Sequence, residues 1–378
     1  MRPASNLRAI LLTTAFSIGA LITGASQARA GYVQTNLVSD IAGLAQLTDP
    51  ALKNPWGVSE SSGSPFWVSD QATGESTLYT VHGTALVSKA TLSVTTPAPS
   101  GQVNNSTTGF VVNGTGKPAS FIFANLNGTI TAWNSSLGTG AGTPAATEVT
   151  TPGAVYTGLA IDKTTQQIYA ANDTAGTIDV FNSAFHPVSL GTNAFVDPNL
   201  PAGLVPFNVQ EVNGQIYVTY APSGHTAQTG ATAGMGTVAV FTTNGAFVKQ
   251  LITGGNLAAP WGITLAPTHF GAFSGDLLVG NFSYVDSKIN AFDPTTGAFE
   301  GSIPIDVGTG NTAGGLWSLS FGNGASGGSP NDLYFTDGIN GEMGGLFGAI
   351  SSVPEPSSLL LLAPALAFVA RRRRRRVA

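Results

Sequence analysis

The sequence predicts an all-β fold, a six-bladed β-propeller, on three observations. The first is composition. With 48 glycines and 22 prolines in 378 residues, and many Thr, Ser and Asn, few stretches are long enough to build an amphipathic helix. The second is a pair of short apolar strands joined by a polar turn, which recurs at intervals of about 50 residues. The third is that each pair follows another short apolar strand. A unit of about four strands therefore repeats, which is the pattern of a propeller blade.

The leader comes first. Arg2 and Arg8 are followed by the apolar run Ala9 to Ile22 and by Ala28-Arg29-Ala30, a small-x-small cleavage site. Residues 1–30 therefore read as a secretory signal peptide, with the mature chain starting near Gly31.

The body, residues 31–350, carries the six copies. They begin at Phe66-Trp67-Val68-Ser69-Asp70, Phe121-Ile122-Phe123-Ala124-Asn125, Ile168-Tyr169-Ala170-Ala171-Asn172, Ile216-Tyr217-Val218-Thr219-Tyr220, Leu277-Leu278-Val279-Gly280-Asn281 and Leu333-Tyr334-Phe335-Thr336-Asp337. The preceding strands are expected to open at Pro55-Trp56-Gly57, Gly109-Phe110-Val111, Gly158-Leu159-Ala160, Pro206-Phe207-Asn208, Pro260-Trp261-Gly262 and Leu316-Trp317-Ser318. The Pro-Trp-Gly echo at 55–57 and 260–262 ties distant copies together. A strand from Tyr32 to Val38 is expected to complete the last blade and close the ring, which removes sheet edges.

The stretches Asn36 to Ala45, Leu52 to Val58 and Phe66 to Asp70 resemble the opening of a secreted bacterial NHL-related propeller family whose members often end in a sorting tail. The resemblance implies the fold and an export route, and no settled activity. The chain lacks the arginine that follows the turn in ordinary NHL repeats.

Charge narrows the function. All nine arginines lie at 2, 8, 29 and 371–376, so the body holds only six lysines against 19 carboxylates. Nucleic-acid affinity rests on cationic contacts to phosphate, so no nucleic-acid partner is expected. Acidic substrates fit poorly for the same reason. There is no cysteine, which excludes disulfides, thiolate metal sites and thiol catalysis.

Candidate site residues follow from the repeat. Asp70, Asn125, Asn172, Asn281 and Asp337 recur at one register. They either present oxygens to one face, which would suit calcium, or shape local turns. Trp56, Trp261 and Trp317 open three preceding strands and either stack on a sugar ring or plug the core. His82, His186, His225 and His269 are scattered without a zinc spacing. Gly324-Ala325-Ser326-Gly327-Gly328 matches Gly-x-Ser-x-Gly in form, but Ser329-Pro330-Asn331 follows where the nucleophile elbow requires a helix. No catalytic set is named.

The tail, residues 351–378, joins Pro354-Glu355-Pro356 to an apolar run, Leu359 to Ala370, and to six arginines, Arg371 to Arg376. About 12 apolar residues, interrupted by Pro364, form a short hydrophobic helix below the roughly 20 of a full span. It would cross a bilayer only with local thinning, its arginines on the cytoplasmic side. This arrangement resembles the PEP-CTERM sorting signal of Gram-negative bacteria that make extracellular polysaccharide. The resemblance implies an exosortase as partner, with Pro354, Glu355 and Pro356 as the recognised element, a transient stay at the inner membrane, and release or attachment at the cell surface.

Two functional expectations result. One is a non-enzymatic envelope or matrix module that binds polysaccharide, a metal ion or another envelope protein. The other is a propeller enzyme, a metal-dependent hydrolase or a lyase, acting on an extracellular substrate.

Overall fold

A computed structural model of the chain describes residues 31–83 and 86–353. The signal peptide, the Pro354-Glu355-Pro356 motif and the tail helix lie outside the described residues. Among the described residues no helix is long and apolar enough to cross a membrane.

Residues 31–353 form six β-sheets in chain order, the blades of a propeller. Their inner strands are Pro55–Ser59, Pro99–Asn104, Tyr156–Asp162, Leu204–Val212, Pro260–Leu265 and Leu316–Phe321. Each packs on the inner strand of the next blade, and the sixth packs on the first, so the ring is closed.

Closure is made by the N-terminal strand. Tyr32–Ser39 pairs antiparallel with Leu346–Ser352, the third strand of blade 6, and thereby supplies its fourth strand. Leu37 and Val38 are fully buried there. The Ser39 hydroxyl donates to the Gly345 carbonyl at 2.7 Å, and the Tyr32 hydroxyl donates to the Phe270 carbonyl at 2.8 Å.

Two blades depart from the expected pattern. The inner strand of blade 2 is Pro99–Asn104, not the Gly109-Phe110-Val111 stretch that the apolar content suggested. Phe110 has φ of 58°, and its backbone bonds to Ser183 and Ala119 in a loop. The repeat element was instead Pro99-Ser100-Gly101, whose small residues hide its kinship with Pro55-Trp56-Gly57. Blade 3 has three strands rather than four. An isolated bridge between Phe181 and Pro187 stands where a fourth would run, and Pro187 has no N–H to extend it.

The third position of the inner strand sets how tightly the ring closes. A Cβ on Gly57 would lie 2.5 Å from the Ser100 carbonyl oxygen, one on Gly101 2.3 Å from the Leu159 nitrogen, and one on Gly262 2.3 Å from the Trp317 oxygen. These glycines let neighbouring backbones touch. The channel along the axis consequently shrinks to a cavity of about 20 Å³, bounded by inner-strand residues of all six blades. That is room for about one water.

Candidate functional site

The two ends of the axis differ in chemistry. Where the inner strands begin, Trp56, Trp261, Trp317, Phe207 and Phe282 form one buried aromatic cluster. Trp317 stacks on Trp56 at 3.5 Å and stands edge-on to Trp261 at 5.6 Å. The indole N–H of Trp317 donates to Asn54 Oδ1 at 3.0 Å, and that of Trp261 donates across the ring to the Thr157 carbonyl at 2.9 Å. The small Ser100 and Thr157 occupy the equivalent second positions of blades 2 and 3 and leave room for these rings. The three tryptophans thus cover one another and plug this end.

The recurrent Asp and Asn residues sit at the same end, each at the close of a second strand. Their side chains bond within their own blade or the loop leading into it. Thr77 Oγ1 donates to Asp70 Oδ2 at 2.6 Å. Asn125 donates to Thr131 Oγ1 at 3.2 Å, and Asn172 to Asp179 Oδ2 at 2.9 Å. Asn281 donates to the Asn256 carbonyl at 2.9 Å and to that of Asp286 at 3.1 Å. Among the described residues no three His, Asp or Glu side chains are grouped to hold a metal ion.

Asp337 is the exception, and register explains it. In blades 1, 2 and 3 the partner lies across the sheet, two residues before the marker: Thr77 opposite Val68, Thr131 opposite Phe123, Asp179 opposite Ala170. In blade 6 that place is Gly348, opposite Phe335, and a Cβ there would lie 2.5 Å from the Phe335 ring. Asp337 is fully buried with neither carboxyl oxygen hydrogen-bonded. Burial pushes its pKa well above the ordinary carboxylate range, as it does for Asp70.

This has a consequence for stability. A carboxyl whose pKa is raised on folding favours the folded state below its unfolded pKa, and that contribution is lost as pH rises toward the folded value. Glu60 is raised by burial from 4.5 to about 9 and acts with the same sign. So does His225, raised chiefly by its bond to Glu342. The thermal midpoint is therefore expected to be higher at pH 5.5 than at pH 8.5, and Asp337→Asn is expected to flatten the difference. An unchanged slope in Asp337→Asn, measured by calorimetry across that range, would contradict the burial argument.

At the other end, where the inner strands finish, two cavities of about 550 and 450 Å³ adjoin. Glu60, Asn104 and Lys163 line both, which makes them one cleft running from between blades 1 and 2 to the axis. Its apolar side is the edge of a buried cluster, Trp67, Phe121 and Trp133, each 3–5% exposed. Trp67 stacks on Phe121 at 4.0 Å and lies 5.0 Å from Trp133. Hydroxyls and amides line much of the rest, with Ser61, Ser64, Asn104, Asn105 and Ser120 on one side and Gln102 and Gln210 on the other, beside the charged Asp162, Lys163 and Glu211. Three polar atoms of the lining are buried without a partner, Ser59 Oγ, Glu60 Oε2 and Trp133 Nε1.

None of Glu60, Asn104, Lys163, Trp67 or Trp133 stood out as a site residue in the sequence. Glu60 and Lys163 each fall just past an inner strand, in stretches that read as turns. Their meeting depends on ring closure. The usable signal was positional: Glu60 and Asp162-Lys163 place charge at the same step of blades 1 and 3. The Gly-x-Ser-x-Gly stretch forms a loop of blade 6 whose Ser326 carbonyl accepts from Val81 N at 2.9 Å.

Comparison with known proteins supports both halves of the picture. Residues 352–375 match the PEP-CTERM protein-sorting motif. The chain is 30% identical over 331 residues to the uncharacterized protein R648 of Acanthamoeba polyphaga mimivirus, covering 83% of this chain and 78% of that protein. The chain belongs to that protein's family. The chain is also similar to the uncharacterized protein L690 of the same virus, 29% identical over 290 residues, with 71% of this chain and 74% of that one covered. Among solved structures, a luciferin-regenerating enzyme is similar with a TM-score of 0.51 at 12% identity, over 85% of this chain and 96% of that one. A streptogramin B lyase is similar with a TM-score of 0.50 at 10% identity, over 86% and 98%. At such identities the likeness is one of fold. The body is a six-bladed propeller, and the sorting motif that follows it implies exosortase-dependent export to the cell envelope or surface.

Proposed function

We propose that this protein is an exported binding module of a Gram-negative cell surface or extracellular matrix, which holds a polysaccharide chain in the cleft beside Glu60, Asn104 and Lys163. One observation carries the reading: a single cleft joins an aromatic side to a rim of hydroxyl and amide groups, and three polar atoms of its lining lack partners. A sugar ring has an apolar face and a hydroxyl edge, and each hydroxyl both donates and accepts, so it matches such a surface. The sorting tail agrees with this setting, since it would hold the chain at the inner membrane until an exosortase acts.

Titration of the purified protein with a panel of oligosaccharides tests the reading. Asn104→Ala is expected to weaken the best binder about tenfold, the loss of one ligand hydrogen bond. Unchanged affinity in that variant would remove the cleft from the account.

A second reading is favoured by Glu60 alone. A carboxyl held protonated near neutral pH is what a general acid requires. A hydrolase or lyase acting on an extracellular polymer would use it so, and release of new chain ends from a bound oligosaccharide distinguishes this case from simple binding.

A further inference from the structure

The charged groups of the cleft are not equally occupied. Asp162 accepts from Thr164 N at 2.8 Å and from the Thr165 hydroxyl at 2.7 Å, so its carboxylate closes its own turn. Glu211 accepts from Gly214 N at 2.6 Å and also attracts Lys163. Burial lowers the pKa of Lys163, the cleft's one lysine, and the Glu211 charge opposes that shift. Glu60 is left over: its Oε2 is buried, has no hydrogen bond, and meets no cation within ion-pair distance. In the lining of the same cavity the buried indole N–H of Trp133, 5% exposed, also lacks an acceptor. Around the cleft lies a body of 19 carboxylates and six lysines with no arginine.

We propose that Glu60 is the receptor for an ammonium group, and that the polysaccharide taken by the cleft carries free amino groups. The proposal rests on the cleft being a glycan site. An amino sugar supplies both missing partners: its ammonium pairs with the Glu60 carboxylate, and a ring hydroxyl accepts from Trp133. The acidic body attracts a polycation at long range and repels a uronate polymer, so the field and the pocket select the same ligand. Burial raises the Glu60 pKa to about 9, and an ammonium beside it favours the charged form. Binding therefore expels a proton to solvent.

The test is calorimetric titration of the purified protein at pH 6 with three oligosaccharides of equal length: a fully deacetylated glucosamine oligomer, its N-acetylated counterpart and an oligouronate. The deacetylated oligomer is expected to bind at least about tenfold more tightly than the other two. Its apparent heat should change between buffers of different ionisation heat, which reports the released proton. Glu60→Gln should lose the proton release and most of the preference while still binding the N-acetylated oligomer. If that variant does not fold, the buffer dependence of the native protein decides alone. Equal affinity for the acetylated and deacetylated oligomers, no proton release, or a preference for the uronate overturns the ammonium receptor and leaves a glycan cleft standing. Binding of none of the three overturns both.

Discussion

Removal of residues 32–39 is expected to abolish cooperative folding of the propeller. The strand is paired with Leu346–Ser352 along its length, and it buries Leu37 and Val38 completely. Each of those side chains contributes about 1.5–3 kcal/mol by burial alone. The loss goes further, because the deletion also removes the bonds from the Ser39 hydroxyl to the Gly345 carbonyl and from the Tyr32 hydroxyl to the Phe270 carbonyl. Without the closing strand, blade 6 also presents an unpaired edge at Leu346–Ser352, a template for aggregation. Domain stabilities are about 5–15 kcal/mol, so the combined loss is of the size of the whole. Circular dichroism through a thermal ramp checks this. A cooperative transition within a few degrees of the native one would show that the ring does not depend on its N-terminal strand.

Trp317→Ala is expected to cost about 3–5 kcal/mol, the range for truncating a fully buried large aromatic. Trp317 has no exposed surface, and its ring touches Trp56, Trp261, Phe207 and Phe282. Truncation leaves a cavity on the axis where blades 1, 4, 5 and 6 meet. It also strands Asn54, whose Oδ1 accepts the indole N–H. Trp317→Phe should cost less, since it keeps most of the packing and loses the hydrogen bond. Urea unfolding measures both. A Trp317→Ala penalty below about 1 kcal/mol would mean that the cluster is not a packed core.

How far the sequence revealed this molecule depends on the distance over which each feature is encoded. Blade repetition is local and periodic, so the apolar strands ending at Asp70, Asn125, Asn172, Asn281 and Asp337 were readable, as was the closing strand. The inner strand of blade 2 was misplaced because Pro99-Ser100-Gly101 carries almost no apolar signal. Its glycine is there for contact with Leu159, a demand set by the neighbouring blade. The missing fourth strand of blade 3 turns on one proline after a tight turn. The register of the marker residues was legible, but their bonding was not. Whether such a residue is paired depends on what stands across the sheet, and only in blade 6 is that a glycine packed under a phenyl ring. The cleft was least legible of all. Glu60, Asn104 and Lys163 are separated along the chain by 44 and 59 residues. They become neighbours only because six inner strands end around one axis.

The central claim is that this cleft holds a sugar chain. Crystals of the protein soaked with the oligosaccharide that binds most tightly give the most direct answer. The expected result is a sugar ring against the Trp67 and Trp133 wall, with a polar group in hydrogen-bonding reach of Glu60. A ligand seated at the tryptophan-plugged end, or on the outer blade surfaces with the cleft empty, would contradict it.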